Sequence, residues 1–171
     1  SQNKIDNSWN EMPRYIDWQY LEEIRELWKG NLILKGILDA DDALKAKNFV
    51  DAIYISNHGG RQIDIVPSPL QLLPSIRKKL GDNFPIIIDS GYSSGQDISK
   101  ALALGADFIM LGRAFMIGMA ALGKNGAEHI HYILQDELSN VMEQLCCRDI
   151  NELKLENVSV TDDFFLNSFE K

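Results

Sequence analysis

The chain has 171 residues, of which 45% are hydrophobic and 25% are charged, a balance that predicts one folded domain with a hydrophobic core. Its formal net charge is -8, and no basic stripe is present. Nucleic acid is therefore not an expected partner, because contact with phosphates needs clustered Lys and Arg. The longest apolar run, residues 114–122, is too short to span a bilayer, so no transmembrane segment is expected.

The two cysteines, Cys146 and Cys147, are adjacent in the sequence. Neighbouring residues rarely reach relaxed disulfide geometry, and the spacing fits no zinc motif, so both are expected to be reduced thiols. His129 and His131 lie two residues apart on a predicted helix and face different directions, so no metal site is predicted. A reducing cytoplasm is the expected compartment, with peripheral contact at the inner face of the membrane left open.

Four helical patterns alternate with four short apolar runs along most of the chain. Residues 1–13 are polar and non-periodic and are interpreted as a loose lead-in, residues 14–158 as the folded domain, and residues 159–171 as a tail. The helical patterns cover residues 18–28, 41–47, 70–80 and 96–104, and the apolar runs cover residues 32–36, 52–56, 85–89 and 108–111. Residues 115–122 then predict a short packed helix. Residues 127–146 predict a long amphipathic helix whose inner face carries Ile130, Ile133, Leu134, Leu138, Val141, Met142 and Leu145.

Strands that are apolar throughout and alternate with helices predict a parallel sheet covered by helices, an α/β fold. Each apolar run ends in polar or glycine-rich residues, at 35–36, 56–61, 89–91 and 112–113. Polar residues at four successive strand ends favour one shared site above a curved sheet, and hence a barrel. A complete TIM (β/α)8 barrel needs eight strands and about 250 residues, so half a barrel is expected here. The other half could be a separate fragment, a second copy of this chain, or absent from this gene product.

The segment with the strongest chemical signal is residues 56–64, with the sequence SNHGGRQID. An imidazole, His58, stands beside two glycines on a strand-end loop, and Arg61 follows three residues later. Glycine lets the backbone approach a flat ligand closely. His58 can act as a general base near neutral pH, and Arg61 can bind a carboxylate with two parallel hydrogen bonds.

This segment resembles the signature of the FMN-dependent L-2-hydroxy acid dehydrogenases and oxidases. Three further segments match the same family in the same order: LKGIL at 34–38, KALALGAD at 100–107, and LGRAF at 111–115. The resemblance extends over about residues 18–153, and the order and spacing of the four segments make the match specific. The resemblance implies the C-terminal half of the family's TIM barrel, with four parallel β/α units followed by C-terminal helices.

The resemblance also implies FMN as cofactor and a role for each matching residue. His58 corresponds to the catalytic base and contacts the substrate, and Arg61 corresponds to the arginine that binds the substrate carboxylate. Lys35 corresponds to a lysine near the flavin N1 and O2 edge, where a cation stabilises reduced flavin. Ser56 corresponds to a hydroxyl that contacts the flavin ring. The implied ribityl and phosphate contacts are Asp89, Ser90, Gly91, Tyr92, Ser93, Gly112 and Arg113.

One position departs from the family pattern in a way that affects the cofactor. Ser93 stands where the family usually has an arginine that helps to neutralise the phosphate. Losing a charge-assisted contact of about 1.5 to 3 kcal/mol would weaken FMN binding roughly ten- to a hundredfold. The family's N-terminal half also supplies a substrate-binding tyrosine and an aspartate partner for the histidine, and no matching residues occur here.

The expected function is FMN-dependent oxidation of an L-2-hydroxy acid, L-lactate first, to the 2-oxo acid. This chain would supply the C-terminal half of the active site, and its partners would be a small 2-hydroxy acid and the N-terminal half or a second copy of the chain. One alternative is a catalytically inactive half-barrel that serves as a binding or assembly module. Another is an FMN- or phosphate-binding barrel with a different substrate.

Overall fold

The computed structural model describes residues 16–159, so the predicted lead-in and nearly all of the predicted tail lie outside the described residues. Within this range the chain forms one four-stranded parallel sheet in the order β1-β2-β3-β4. The strands are β1 (Ile33–Ile37), β2 (Ala52–Ile55), β3 (Ile86–Ile88) and β4 (Phe108–Ile109). Strand order equals chain order, as expected for consecutive β/α units of a barrel wall.

Six α-helices accompany the sheet in the described part of the chain. They are α1 (Trp18–Leu27), α2 (Ala40–Ala46), α3 (Pro69–Leu80), α4 (Gly95–Ala103), α5 (Arg113–Leu122) and α6 (Gly126–Gln144). Short polar side chains precede α1, α2, α3 and α4. Asp17 and Asp39 accept backbone N–H bonds at the starts of α1 and α2, and Ser94 forms a capping box at the start of α4. At the start of α3, the Gln71 side chain accepts from the backbone N–H of Ser68. The predicted alternation of strands and helices is confirmed.

The hydrophobic core lies between the sheet and the helices α2, α3 and α4. Alternate residues of β2 and β3 point towards these helices and are fully buried: Ile53, Ile55, Ile86 and Ile88. Helix residues such as Ala43, Ile76 and Ala101, also fully buried, pack against them. This layer holds the strand ends in fixed register, and the register positions the residues of the candidate site.

The C-terminal helices α5 and α6 are more exposed than the sequence pattern predicts. Met116 and Ile117 of α5 are 70% and 68% exposed, so the expectation of a packed helix at this segment is wrong for that face. On α6, Leu134 is buried as predicted, but Ile133 is exposed, and so is Leu145 directly after the helix. Amphipathic spacing identifies which side chains share a face, and it does not determine whether that face is covered.

The face of the sheet opposite the helices is open. Lys35, Tyr54, Ile87 and Phe108 are aligned in register across the four strands on this side, which is called the open face below. Phe108 is 61% exposed on it. In a closed barrel this side would be the packed interior.

Candidate active site

The first element of the site is the carboxyl end of β1. Lys35 pairs in register with Tyr54 of β2, and the register shifts between Lys35 and Ile37. The intervening Gly36 has a φ of 95°, which a side-chain-bearing residue rarely adopts. This bulge interrupts the pairing immediately beyond Lys35, and the pairing resumes with Ile37 opposite Ile55.

The second element is the turn that follows β2 and carries His58. Asn57 organises it, because its side-chain oxygen accepts hydrogen bonds from the backbone N–H groups of Gly59 and Gly60 at 2.9 and 3.2 Å. His58 itself has a φ of 56°, in the left-handed region that few non-glycine residues occupy. Strain of this kind at an exposed imidazole is typical of functional loops.

Lys35, Ser56 and Asp89 meet where β1, β2 and β3 end. The Lys35 Nζ atom donates to Ser56 Oγ at 2.6 Å and to Asp89 Oδ2 at 2.7 Å. Ser56, only 3% exposed, also accepts from the backbone N–H of His58 at 3.1 Å. The ammonium group, the serine hydroxyl and the histidine loop therefore form one connected cluster.

Asp89 is the centre of this cluster. Burial tends to raise its pKa, but the hydrogen bonds from Lys35 and Ser90, with the neighbouring hydroxyl groups of Ser56 and Tyr54, outweigh that effect, so the pKa lies below its ordinary value. The Ser90 hydroxyl donates to Asp89 at 2.8 Å and accepts from the N–H of Gly59 at 3.2 Å. Ser90 has a φ of 78°, a second strained non-glycine residue at a strand end. It links the loop after β3 to the turn that carries His58.

A cleft of about 370 Å³ opens beside the cluster and is lined by Lys35, Ser56, His58 and their neighbours. Arg61 is exposed and does not belong to this lining, although it lies one residue beyond the turn. Gly112 and Arg113 lie further along the sheet edge, at the start of α5, and both are exposed. The structure thus brings together Lys35, Ser56, His58, Asp89 and Ser90, while the arginines remain at the margin of the site.

The loop after β3 contributes a buried tyrosine and an exposed serine. The Tyr92 ring belongs to the main core, and its buried hydroxyl finds no hydrogen-bond partner among the described residues. Burial, together with the Asp89 and Asp97 carboxylates, raises the pKa of this phenol, so it is held as a neutral donor. The Ser93 backbone N–H donates to Asp97 at 3.0 Å. The backbone of Gly91 faces open space, because nothing lies within 4 Å of an added Cβ atom there.

Two residues of the site were not assigned a role from the sequence. Asn57 carries a recognisable signal, because an asparagine followed by glycines is typical of a turn closed by the side chain. Tyr54 carries no such signal, since it lies inside an apolar run where either face is possible. Its ring centroid lies 3.9 Å from Lys35 Nζ.

The fold and the strand-end cluster define an α/β half-barrel with a polar site at the carboxyl edge of its sheet. A sequence profile of the FMN-dependent dehydrogenase family matches residues 2–160. The chain belongs to this FMN-dependent family, as its resemblance in four segments predicted.

Known members of the family are similar over most of this chain. An L-lactate dehydrogenase of Bartonella tribocorum is 41% identical over 150 residues, which cover 87% of this chain and 39% of that protein. An (S)-mandelate dehydrogenase of Pseudomonas putida is 39% identical over 156 residues, 89% of this chain and 39% of that protein. The chain therefore spans about two fifths of the length of these relatives.

A solved structure supports the assignment of the fold. The crystal structure described as the monotopic membrane protein (S)-mandelate dehydrogenase superposes with a TM-score of 0.85 at 37% identity, covering 90% of this chain and 41% of that chain. The predicted partial TIM barrel is confirmed. Within residues 16–159, the helices are all too short or too polar to cross a membrane.

The residues at the carboxyl edge fit the chemistry of FMN. A cation beside the flavin ring suits the charge that the ring gains on reduction, and Lys35 provides that cation. The buried, neutral Tyr92 hydroxyl is a donor with spare capacity, and the exposed Arg113 provides positive charge further along the same edge. Ser93 provides weaker donors where an arginine would provide a charge.

Proposed function

We propose that this chain supplies the C-terminal half of the active site of an FMN-dependent enzyme that oxidises an L-2-hydroxy acid, L-lactate, to the 2-oxo acid. The observation that carries the proposal is the cluster around Asp89. In it, hydrogen bonds connect Lys35, Ser56 and the His58 turn at one edge of the sheet. The family membership and the names of the relatives support the same chemistry.

His58 is the proposed base. Its strained turn is tied back to Ser56 and Ser90, so the imidazole stands at the mouth of the cleft with a fixed backbone. In this role the ring accepts the proton of the substrate hydroxyl group as the 2-oxo acid forms. Arg61 is proposed to bind the substrate carboxylate, and its exposure and position one residue beyond the turn leave its guanidinium free to reach the cleft mouth.

The proposed contacts of FMN are Lys35, Ser56, Asp89, Ser90, Gly91, Tyr92, Ser93, Gly112 and Arg113. When bound, FMN would supply the acceptor for the two electrons and the hydrogen of the substrate carbon, the equivalent of a hydride, while His58 takes the hydroxyl proton. Lys35 would hold positive charge beside the ring, and Asp89 would hold Lys35. Tyr92 and Arg113 would serve the ribityl and phosphate end, where Ser93 lowers the available charge.

The test is reduction of the flavin by substrate under anaerobic conditions. The FMN-loaded chain is mixed with L-lactate or (S)-mandelate, alone and together with the part of the Bartonella tribocorum enzyme that this chain does not match. Loss of visible flavin absorbance with L-lactate is expected in the assembled sample. His58→Gln should slow this reduction roughly a hundred- to ten-thousandfold, as expected for loss of a general base.

The matched control is His129→Gln, which changes an exposed histidine on α6 and should leave the rate unchanged. Assembly of the two parts is checked by size-exclusion chromatography. An assembled, FMN-loaded sample that neither substrate reduces would refute the proposed reaction. Faster reduction by (S)-mandelate than by L-lactate would refute the proposed substrate and leave the reaction class standing.

The proposed partner is the segment of barrel that the relatives carry beyond the region matched by this chain. The open face supports this choice of partner. Ile33, Phe108 and Met110 are 48%, 61% and 52% exposed there, and exposed apolar surface of this kind is typical of a face that another segment covers. A second copy of the chain would instead show up as a dimer in the same chromatography. A cytoplasmic location is proposed because Cys146 and Cys147 are free thiols, and peripheral membrane contact is proposed from the name of the monotopic mandelate dehydrogenase.

The second candidate function is an inactive half-barrel that acts as a binding or assembly module. The observation that favours it is Ser93, whose backbone and side chain interact with Asp97 and which brings no positive charge to the phosphate end. Assembly with a partner but no FMN binding would support this alternative.

A further inference from the structure

Tyr54 occupies the middle of β2 on the open face, in register with Lys35 on one side and Ile87 on the other. Its ring lies directly against the lysine head, with 3.9 Å between Lys35 Nζ and the ring centroid. A cation at this distance from an aromatic face is attracted by the negative charge density of the ring. The ring therefore provides a third contact for an ammonium group that Ser56 and Asp89 already hold.

The same tyrosine lies close to the anion of the pair. Burial, together with the Asp89 carboxylate, raises the pKa of the Tyr54 phenol, so its hydroxyl group stays protonated and neutral. Tyr54 thus contacts the Lys35 ammonium group through its ring, and the same ammonium group donates to Asp89 at 2.7 Å.

A packing role alone does not account for this arrangement. Phe108 is an aromatic residue on the same open face, and no lysine lies over its ring among the described residues. Elsewhere Lys45 lies over Trp18 at 4.4 Å and Lys47 over Phe84 at 5.6 Å, but neither lysine belongs to the strand-end cluster. The shortest of these three lysine–ring distances is the one between Lys35 and Tyr54, and Lys35 is the lysine proposed to face the flavin.

The Lys35 side chain is 43% exposed, so Asp89 and Ser56 alone leave it open to competition from water. A lysine side chain also has many rotamers, and ordering it costs entropy. An aromatic ring beneath the ammonium group restricts those rotamers before any ligand arrives.

We propose that Tyr54 is a positioning residue that fixes the Lys35 ammonium group against Asp89 and so increases the preference of the site for reduced over oxidised FMN. The inference rests on the proposed function, because it assumes that FMN binds at this edge of the sheet. It adds a residue from the barrel interior to the groups that determine how the flavin is reduced.

The test compares the dissociation constants of oxidised and chemically reduced FMN for the full chain and its variants. Tyr54→Leu removes the ring and should lower the preference for reduced FMN about two- to fivefold, as expected for a partly exposed cation–π contact. Tyr54→Phe keeps the ring. The logarithm of its preference for reduced FMN should fall by no more than half as much as in Tyr54→Leu. Phe108→Leu is the matched control on the same face and should change nothing.

A Lys35→Met background tests whether Tyr54 acts through the lysine. There, Tyr54→Leu should have no further effect on the ratio of the two constants, and a full additional effect would overturn the proposal. In the chain without FMN, the side-chain NMR signals of Lys35 should be shifted by the ring current in the wild type and in Tyr54→Phe. They should return to ordinary positions in Tyr54→Leu, or in Tyr54→Met if the leucine variant does not fold.

The possible failures are distinguishable. If neither the chain alone nor the chain assembled with the missing segment of barrel binds FMN in either form, the proposed function fails and this inference fails with it. If both forms bind and Tyr54→Leu leaves their ratio unchanged, Tyr54 has no positioning role and the proposed function is unaffected. Absence of a ring-current shift in the wild type would also overturn the proposal.

Discussion

Two ion pairs lie at opposite edges of the same sheet, and they differ in how completely their hydrogen bonds are used. At the amino edge, Arg77 donates to the carbonyl oxygens of Gly105, Gly81 and Phe84 and to Asp107, and its side chain is 13% exposed. At the carboxyl edge, Lys35 pairs with Asp89 but is 43% exposed and borders a cleft.

The two ion pairs therefore have different roles: the Arg77 pair stabilises the fold, and the Lys35 pair belongs to the candidate site. The Arg77 cluster closes on itself, since Asp107 also accepts from the N–H of Ile86 at 2.7 Å, and it ties the starts of β3 and β4 together. The Lys35 cluster has exposed, charged groups and two strained residues, His58 and Ser90. Saturated polar clusters stabilise a fold, whereas clusters with exposed charge and strain are typical of binding sites.

Removal of the arginine should produce the largest effect on stability. Arg77→Met removes the side-chain donor of three carbonyl groups and leaves Asp107 with only the N–H of Ile86, so it should lower the free energy of unfolding by about 3 kcal/mol. Lys35→Met is the comparison variant and should cost less than about 1 kcal/mol, because the Lys35 pair is more exposed. Urea unfolding measures both. A greater loss for Lys35→Met would reverse the contrast between the two edges.

A positive charge added at position 93 should restore the phosphate contact that Ser93 cannot make. Ser93→Arg should strengthen FMN binding by about ten- to a hundredfold, since one charge-assisted hydrogen bond to phosphate is regained. Ser93→Gln adds length without charge and should produce little of this gain. Isothermal titration with FMN distinguishes the two. Equal affinity in Ser93→Arg and the wild type would mean that the phosphate does not lie near this position.

Acid should weaken the carboxyl edge through Asp89. Because its pKa is lower in the folded state than the ordinary value of 3.8, the carboxylate contributes stability that is present above about pH 4. That contribution is lost as the pH falls from there through the lower folded-state pKa. Urea unfolding at a series of pH values should therefore show a shallower acid decline for Asp89→Asn than for the wild type. Parallel curves would show that Asp89 does not contribute in this way.

The order of elements and the location of the site could be predicted from the sequence. Apolar runs that end in polar residues marked the strands, and the SNHGGRQID segment marked the turn that carries His58. Contacts across strands could not be predicted, because they depend on register. Lys35 lies opposite Tyr54 only in the observed register of β1 and β2, and a single-residue slip would turn Tyr54 to the other face.

The solvent exposure of apolar side chains was the other property that could not be predicted from the sequence. Ile117 of α5 lies in an apolar segment that reads like a packed helix, yet the described residues leave it uncovered. A pattern reports which residues could be buried, and the neighbouring elements decide which of them are. The role of Asp89 as the acceptor for both Lys35 and Ser90 was hidden for the same reason, since these donors follow two different strands.

The most direct test of the central claim is an absorbance titration of the purified chain with FMN, with Lys35→Met measured in parallel. The account predicts a saturable perturbation of the visible flavin band in the wild type and weaker binding in the variant. No perturbation at millimolar FMN would contradict the claim that the carboxyl edge of this sheet forms a flavin site by itself. Equal binding by Lys35→Met would contradict the position assigned to the lysine.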